Sequence, residues 1–320
     1  MINLRSVDDQ ARALQKVLSQ YGYVCDPVLV SERVAVLHDG LVHEDEFLYV
    51  LSWSKNVAFA HKLDQATVLS KEKNKYRIPD LLMVVNEQGL RQSYLVEIKT
   101  TKKEELIWSK NYYYGLLNYS KQIGMQMLVA WKWTSLDIWT LVKLEDFKQA
   151  NPTASFRLDL KTAYKRSLMS SLLGDFWVFL SDRFSLVLKQ KKIKKIQKDD
   201  GWVWEAVVED VYFTGRDGKP APINEGVLAI LYSLDVVEQM DEDENYLYFK
   251  LIPSPNLGLC VQTVPIRLNQ RSARDQVHWL GLISEGKFPI EYDQLLTSLM
   301  EAIESKSIDQ ILFQAPNYDD

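Results

Sequence analysis

The sequence predicts an α/β first half followed by a smaller α+β domain. Three observations carry this reading. Helix-period and strand-like apolar segments alternate through residues 6–142. A polar stretch without periodicity, 148–155, contains Asn151-Pro152 and reads as a linker. Beyond it, helical and strand-like segments mix without regular alternation. The length of 320 residues suits a division into 1–150 and 151–320, because a domain usually takes roughly 100–200 residues.

Each element has its own warrant. Val7, Ala11, Leu14, Val17 and Leu18 recur at helical spacing before Gly22, predicting a helix over 6–21. Val24, Val28, Leu29, Val30, Val34 and Val36 make 23–37 strand-like. Residues 44–62 read as a second helical segment. Two apolar runs, 78–85 and 94–98, predict strands joined by a turn at Asn86-Glu87-Gln88-Gly89. A helix over 104–123 is stopped by Gly124, and 125–133 and 137–142 read as further strands. In the second half a helix is expected over 158–181 and an apolar strand over 202–213, with a turn at 216–220. A helix over 224–240 and strands over 246–253 and 259–268 come next, and a helix over 291–305 closes the half. The pair 224–240 and 246–251 has the outline of a recognition helix and wing. The nine tryptophans, Trp108, Trp131, Trp133, Trp139, Trp202 and Trp204 among them, are expected to fill the core more often than to stack on bases.

Composition removes several function classes. Hydrophobic residues are 47% and charged residues 25% of the chain, enough for a sizeable core without a disulfide scaffold. Lys and Arg number 38 against 43 Asp and Glu, a net charge of −5. That excludes an overall basic surface but not a local basic strip. Cys25 and Cys260 are far apart, and the four histidines form no metal-binding spacing with them. A structural zinc site is thereby excluded, and the cysteine usage fits a reducing compartment. The opening MINLRSVDDQ carries charges where a signal peptide is apolar, and no apolar run approaches the roughly 18 residues of a membrane span. The expectation is a soluble cytoplasmic protein with no membrane partner. No Gly-rich phosphate loop, Ser/His/Asp set or activated cysteine context occurs, which leaves kinase, serine- or cysteine-hydrolase and dinucleotide readings without support.

One constellation carries chemistry: Asp80 at the start of the first short strand, and Glu97-Ile98-Lys99 on the second. Alternate strand residues share a face, so Glu97 and Lys99 point one way and Ile98 the other. Closure at Gln88-Gly89 sets Asp80 opposite Glu97. A four-residue loop leaves them diagonal on one face, and a three- or five-residue loop separates them unless a bulge intervenes. Two carboxylates about 5 Å apart repel by roughly 3 kcal/mol at an effective dielectric of 20. Lys99 offsets part of this, and a divalent cation would offset more. Oxygen donors suit Mg²⁺ or Mn²⁺. Metal, ammonium and room for a phosphate are the equipment of metal-assisted phosphodiester hydrolysis. The bland alternative is a strand-start carboxylate beside a surface ion pair. The unbroken apolar flanks argue against it, because they mark strands buried on both faces.

These residues resemble the PD-(D/E)xK nuclease superfamily. Pro79-Asp80…Glu97-Ile98-Lys99 matches its motif, and the surrounding helix, hairpin, helix and strand match its order over roughly residues 1–145. The resemblance implies a restriction-endonuclease-like mixed central sheet flanked by helices. It implies that Asp80, Glu97 and the carbonyl of Ile98 ligate metal, while Lys99 orients the attacking water and stabilises charge on phosphorus. Members carry a further acid on the first helix. Asp8, Asp9 and Gln10 stand at about that place, with Glu44 and Glu46 as rivals. The helix after the motif often presents a Lys or Gln and a Tyr toward phosphate. Lys110 and Tyr114 share a face there, with Gln122 and Tyr119 as alternatives and core packing as the competing role of Tyr112-Tyr113-Tyr114. The partner implied is nucleic acid, DNA before RNA, with a homodimer or a partner-protein complex by analogy. Defence, recombination and mobile-element processing use this fold. The competing readings are a non-catalytic binding or assembly module and an RNA-cleaving effector. Lys102-Lys103 and the lysines of 189–198 are the basic concentrations; the second run reads as a segment with one solvated face, with phosphate contact as its functional alternative.

Overall fold

The computed structural model describes residues 41–63, 75–150, 155–199, 201–254, 258–273 and 277–313, with single positions 14, 18 and 26. The expected first helix and the strand-like 23–37 therefore lie outside the described residues, apart from helical Leu14 and Leu18 and the single position Asp26.

The first half is a mixed α/β structure built on one five-stranded sheet. Its strands are β1 (Val57–Lys62), β2 (Leu81–Glu87), β3 (Leu90–Thr101), β5 (Gln126–Trp133) and β6 (Ile138–Lys143), in the order β1-β2-β3-β5-β6. The β3–β5 pair is parallel and the others antiparallel. A parallel pair needs a crossover, supplied by the helix α2 (Lys110–Ile123). Helix α1 (41–53) covers the opposite face. Its Phe47, Val50 and Leu51 pack with Leu81, Met83, Val96, Ile98 and Ala130. Under α2, Tyr113 and Leu116 pack with Leu95, Met127, Val129 and Trp131. Burial on both faces is why these strands read as continuous apolar runs.

The structure corrects several boundaries. Residues 57–62 are an edge strand, not the tail of a helix. Among the described residues only β2 pairs with it, and half its side chains are exposed, so it lacks the pattern of a buried strand. Helix α2 begins at Lys110, because Ser109 caps it by accepting from the Tyr112 amide. Residues Glu105–Trp108 form β4 instead. The expected linker starts as β7 (Lys148–Gln149), which pairs with β8 (Phe156–Asp159), itself paired with β4. The helix expected over 158–181 is β8, two short helices α3 (Leu160–Lys165) and α4 (Met169–Leu173), and β9 (Trp177–Leu180). Asp159 caps α3 and left-handed Gly174 ends α4, signals a periodicity count passes over.

The second half holds a five-stranded antiparallel sheet, order β12-β11-β10-β14-β13. These are β10 (Ser185–Lys198), β11 (Gly201–Thr214), β12 (Pro220–Ala221), β13 (Val236–Glu242) and β14 (Tyr246–Pro253). Helix α5 (Glu225–Tyr232) is capped by Asn224 and stops eight residues short of the expected end; the remainder is β13. Because β14 lies between β10 and β13, it is not a free wing. The strand expected over 259–268 is β15 (Leu259–Cys260) followed by α6 (Thr263–Ser272). Helices α7 (Trp279–Glu285) and α8 (Tyr292–Glu304) and strand β16 (Ile308–Leu312) follow, and β15-β9-β16 form a small sheet. The two halves share a core: Ile266 and Trp279 pack into the α1 cluster, and Trp53 donates to the Ile290 carbonyl at 2.8 Å. Among the described residues no helix is long and apolar enough to cross a membrane.

Candidate active site

The β2–β3 hairpin closes at Gln88-Gly89, both with positive φ (48° and 84°), the backbone of a two-residue turn that matches strand twist. Glu87 pairs with Leu90 and Leu81 with Val96, which puts Asp80 across from Glu97. Both are buried, at 7% and 1% exposure. Asp80 Oδ2 accepts the Ile98 amide at 2.6 Å. Lys99 Nζ donates to Glu97 Oε1 at 2.6 Å and to the Ile98 carbonyl at 2.8 Å. The Tyr112 hydroxyl, from the first turn of α2, donates to the same Glu97 oxygen. The other, Oε2, is buried without a hydrogen-bond partner among the described residues.

Burial pushes the Glu97 carboxyl above its ordinary range; the Lys99 charge pulls it down and the Asp80 charge pushes it further up. Burial works against the Lys99 ammonium, but the charge of Glu97 outweighs it, and Lys99 stays protonated well past its usual value. Burial and the Glu97 charge raise the Tyr112 hydroxyl, which therefore remains a donor. The segment before Asp80 is held against α2. The Arg77 amide donates to the Gly115 carbonyl at 3.0 Å, and the Arg77 guanidinium lies 3.8 Å from the centre of the Tyr112 ring.

Residues 66–172 match the family model of the archaeal Holliday junction resolvase, Hjc, a family within the restriction-endonuclease-like group. This segment belongs to the PD-(D/E)xK superfamily. Among solved structures, the chain is similar to Hjc of Archaeoglobus fulgidus, a Holliday junction resolvase from an archaeal hyperthermophile. The match has 20% identity and a TM-score of 0.30, and covers 38% of this chain and 90% of that one. No curated protein matched the chain.

The PD-(D/E)xK residues Asp80, Glu97 and Lys99 come together on the α2 face of the sheet. The rival acids do not join them. Glu46 lies under the opposite face, where it pairs with Lys132 at 2.6 Å and accepts from Trp139. Glu44 pairs with Lys62 at 3.0 Å. Asp8, Asp9 and Gln10 lie outside the described residues. Lys110 stands at the first position of α2 and is half-buried. Tyr114 turns away and packs edge-on against Phe156, Tyr119 packs into the core beneath α2, and Gln122 is exposed. The tyrosine that reaches the motif is Tyr112, which the sequence reading left to core packing. Its signal was Ser109: a helix capped there puts Tyr112 in the first turn, beside the carboxyl half of β3. Arg77 had no such signal, since only the folded course of 75–80 brings it to the ring.

The donor set fits a hard divalent cation. Two carboxylates and the Ile98 carbonyl converge, and the unpartnered Glu97 Oε2 is a buried acceptor of the kind a cation satisfies. Among the described residues no group of three or more His, Cys, Asp or Glu could hold a metal.

Proposed function

We propose that the chain is a divalent-metal-dependent cytoplasmic endonuclease that hydrolyses phosphodiester bonds in DNA. Four-way or otherwise branched DNA is its first candidate substrate, and defence, recombination or mobile-element processing its setting. The C-terminal half serves targeting, regulation or assembly. The observation that carries the reading is the meeting of Asp80, Glu97 and Lys99 on one face of the β2–β3 hairpin. Asp80, Glu97 and the Ile98 carbonyl would hold Mg²⁺ or Mn²⁺, which would supply Lewis-acid stabilisation of charge on the phosphoryl oxygens. Lys99, kept protonated, acts as a cation that orients water and stabilises developing charge, not as a base. Tyr112 fixes the Glu97 carboxylate, and Lys110 faces phosphate from the start of α2. The junction specificity in the name of Hjc supports branched DNA as substrate; a homodimer or partner complex would place two such sites on one duplex.

The test is digestion of a four-way junction, linear duplex, single-stranded DNA and RNA side by side, with Mg²⁺, Mn²⁺ or EDTA. Cutting of DNA by wild type in either metal is expected, with at least a 100-fold loss in Asp80→Asn and Lys99→Ala. Binding without cutting in any metal would leave the non-catalytic module, and cutting of RNA alone would leave the RNA effector.

A further inference from the structure

Strands β10 and β11 run on past their sheet. β14 pairs with β10 only over Leu186–Lys191, and β12 pairs with β11 only at Phe213 and Thr214. Lys192 still bonds the Asn245 carbonyl through its amide at 2.9 Å; beyond it, from Ile193 to Glu205, the hairpin pairs only with itself among the described residues. At about 3.3 Å per residue it projects roughly 20 Å. A free two-stranded ribbon is marginally stable in water, yet this one exposes large apolar side chains: Trp202 at 62%, Val207 at 59% and Ile193 at 58%.

Its charges are arranged by strand. Lys191, Lys192, Lys194, Lys195 and Lys198 lie on β10. Lys192 pairs with Glu242, whereas Lys191, Lys194, Lys195 and Lys198 make no salt bridge among the described residues. The register sorts them onto two faces. Lys195 stands across from Trp204 and Gln197 from Trp202 on one face. Lys191–Val207, Lys194–Glu205 and Lys198–Gly201 lie on the other. The Trp204 ring has the Lys192 and Lys195 ammonium groups at 4.9 and 5.6 Å from its centre.

From this arrangement we infer that the β10–β11 arm is a second nucleic-acid contact, separate from the hydrolytic site, which grips the phosphate backbone through its lysines and stacks bases or sugars on Trp202 and Trp204. The inference rests on nucleic acid being the substrate. Lys194 faces Glu205 across the strands and Lys191 lies within the field of Glu209, but neither closes a salt bridge, and lysines not held in ion pairs bind phosphate with release of counterions. Exposed indoles flanked by ammonium groups are stacking platforms, and a two-stranded ribbon is narrow enough for a major groove. A polyanion with flat bases satisfies both features. A second copy of the chain would have to provide acids for the ammonium groups that make no salt bridge and an apolar cover for the indoles.

The test is fluorescence anisotropy with the full chain in EDTA, on a labelled duplex and a four-way junction, across a salt series. Replacing Lys191, Lys194, Lys195 and Lys198 together by Gln is expected to lower the slope of log K against log salt by about 3–4. Trp202→Ala with Trp204→Ala is expected to weaken binding about tenfold with the slope unchanged. Circular dichroism checks folding. If the quadruple variant fails to fold, Lys194→Gln with Lys195→Gln carries the same test with a slope change of about two. Unchanged slope and affinity would overturn the inference. So would variants that turn a dimer into a monomer, by sedimentation, at constant affinity per protomer. The two readings fail separately: cutting that ignores the arm variants sinks only the arm, and arm-dependent binding without metal-dependent cutting sinks only the nuclease.

Discussion

Tyr112 and Lys132 show how single side chains hold opposite faces of the same sheet. Tyr112 donates to a carboxylate buried to 1% exposure. Tyr112→Phe keeps the ring beneath Arg77 and removes only the donor. A hydrogen bond to a charged group is worth about 1.5–3 kcal/mol, so cleavage is expected to fall about tenfold or more, read as kcat on a junction substrate. A variant as active as wild type would mean that Lys99 alone orients Glu97. On the other face, Lys132 is 3% exposed at its side chain and bridges Glu46 at 2.6 Å and Asp137 at 2.5 Å. Burial pushes the Glu46 carboxyl up, but nearby His43, the Lys132 charge and hydrogen bonds from Lys132 and Trp139 outweigh it and hold it below its ordinary range. Lys132→Met strands that carboxylate and is expected to cost about 3–5 kcal/mol in urea unfolding. Adding Glu46→Leu should recover part of the loss, because the unpaired charge goes with it. These partners are 86 residues apart, which is why Glu46 read from sequence as a rival site acid.

At the scale of the element, α2 is fixed at both ends and along its length by small residues with different jobs. Gly124 closes it in the left-handed region at φ 73°, with open space where a Cβ would go. Gly124→Ala therefore has only a conformational cost, about 1 kcal/mol of stability. Gly115 has ordinary helical backbone, but a Cβ there would meet the Arg77 Cβ at 3.0 Å. Ala is the better helix former by about 1 kcal/mol, so Gly115→Ala measures whether the 75–80 segment can give. The expected result is near-unchanged stability with reduced cleavage, because the displaced segment carries Asp80. Full activity together with raised stability would show that the segment moves freely. What was legible in sequence follows the same logic. The hairpin was readable because Gln88-Gly89 fixes the turn and the period of two fixes the faces. Gly124 was readable because its requirement is local. The true start of α2, the β4–β8 pairing and the division of 158–181 were not, since each depends on which distant strand is free to pair. Tyr112 was lost with the helix start, and the lysine run read as one solvated face when the bulged register of β10 puts lysines on both.

For the whole molecule, the decisive contact lies where the halves meet. Asp175 precedes β9 and is buried. It accepts from the Cys260 thiol at 2.8 Å, from the Gln262 amide at 3.2 Å and from Gln262 Nε2 at 3.0 Å. The same Nε2 reaches the Trp139 carbonyl of β6 at 3.0 Å, so this carboxyl orients the glutamine that ties the second half to the first sheet. Burial pushes the Asp175 carboxyl from 3.8 to about 6, against the opposing hydrogen bonds. The sign for stability follows from proton binding. Between the two values the folded chain holds the proton that the unfolded chain releases, so the contribution is fully present below pH 3.8 and is lost as pH rises through about 6. At about 1.4 kcal/mol per unit the loss is about 3 kcal/mol. Asp175→Asn has no proton to lose. Its unfolding free energy, subtracted from that of wild type at each pH, should give a difference that falls by about 3 kcal/mol between about pH 4 and pH 7 and is flat above. Parallel curves would mean that Asp175 ionises as it does in the unfolded chain. A difference that rises with pH would mean that the thiol and glutamine donors outweigh burial, and the junction between the halves would then be held by a charge, not by a shared proton.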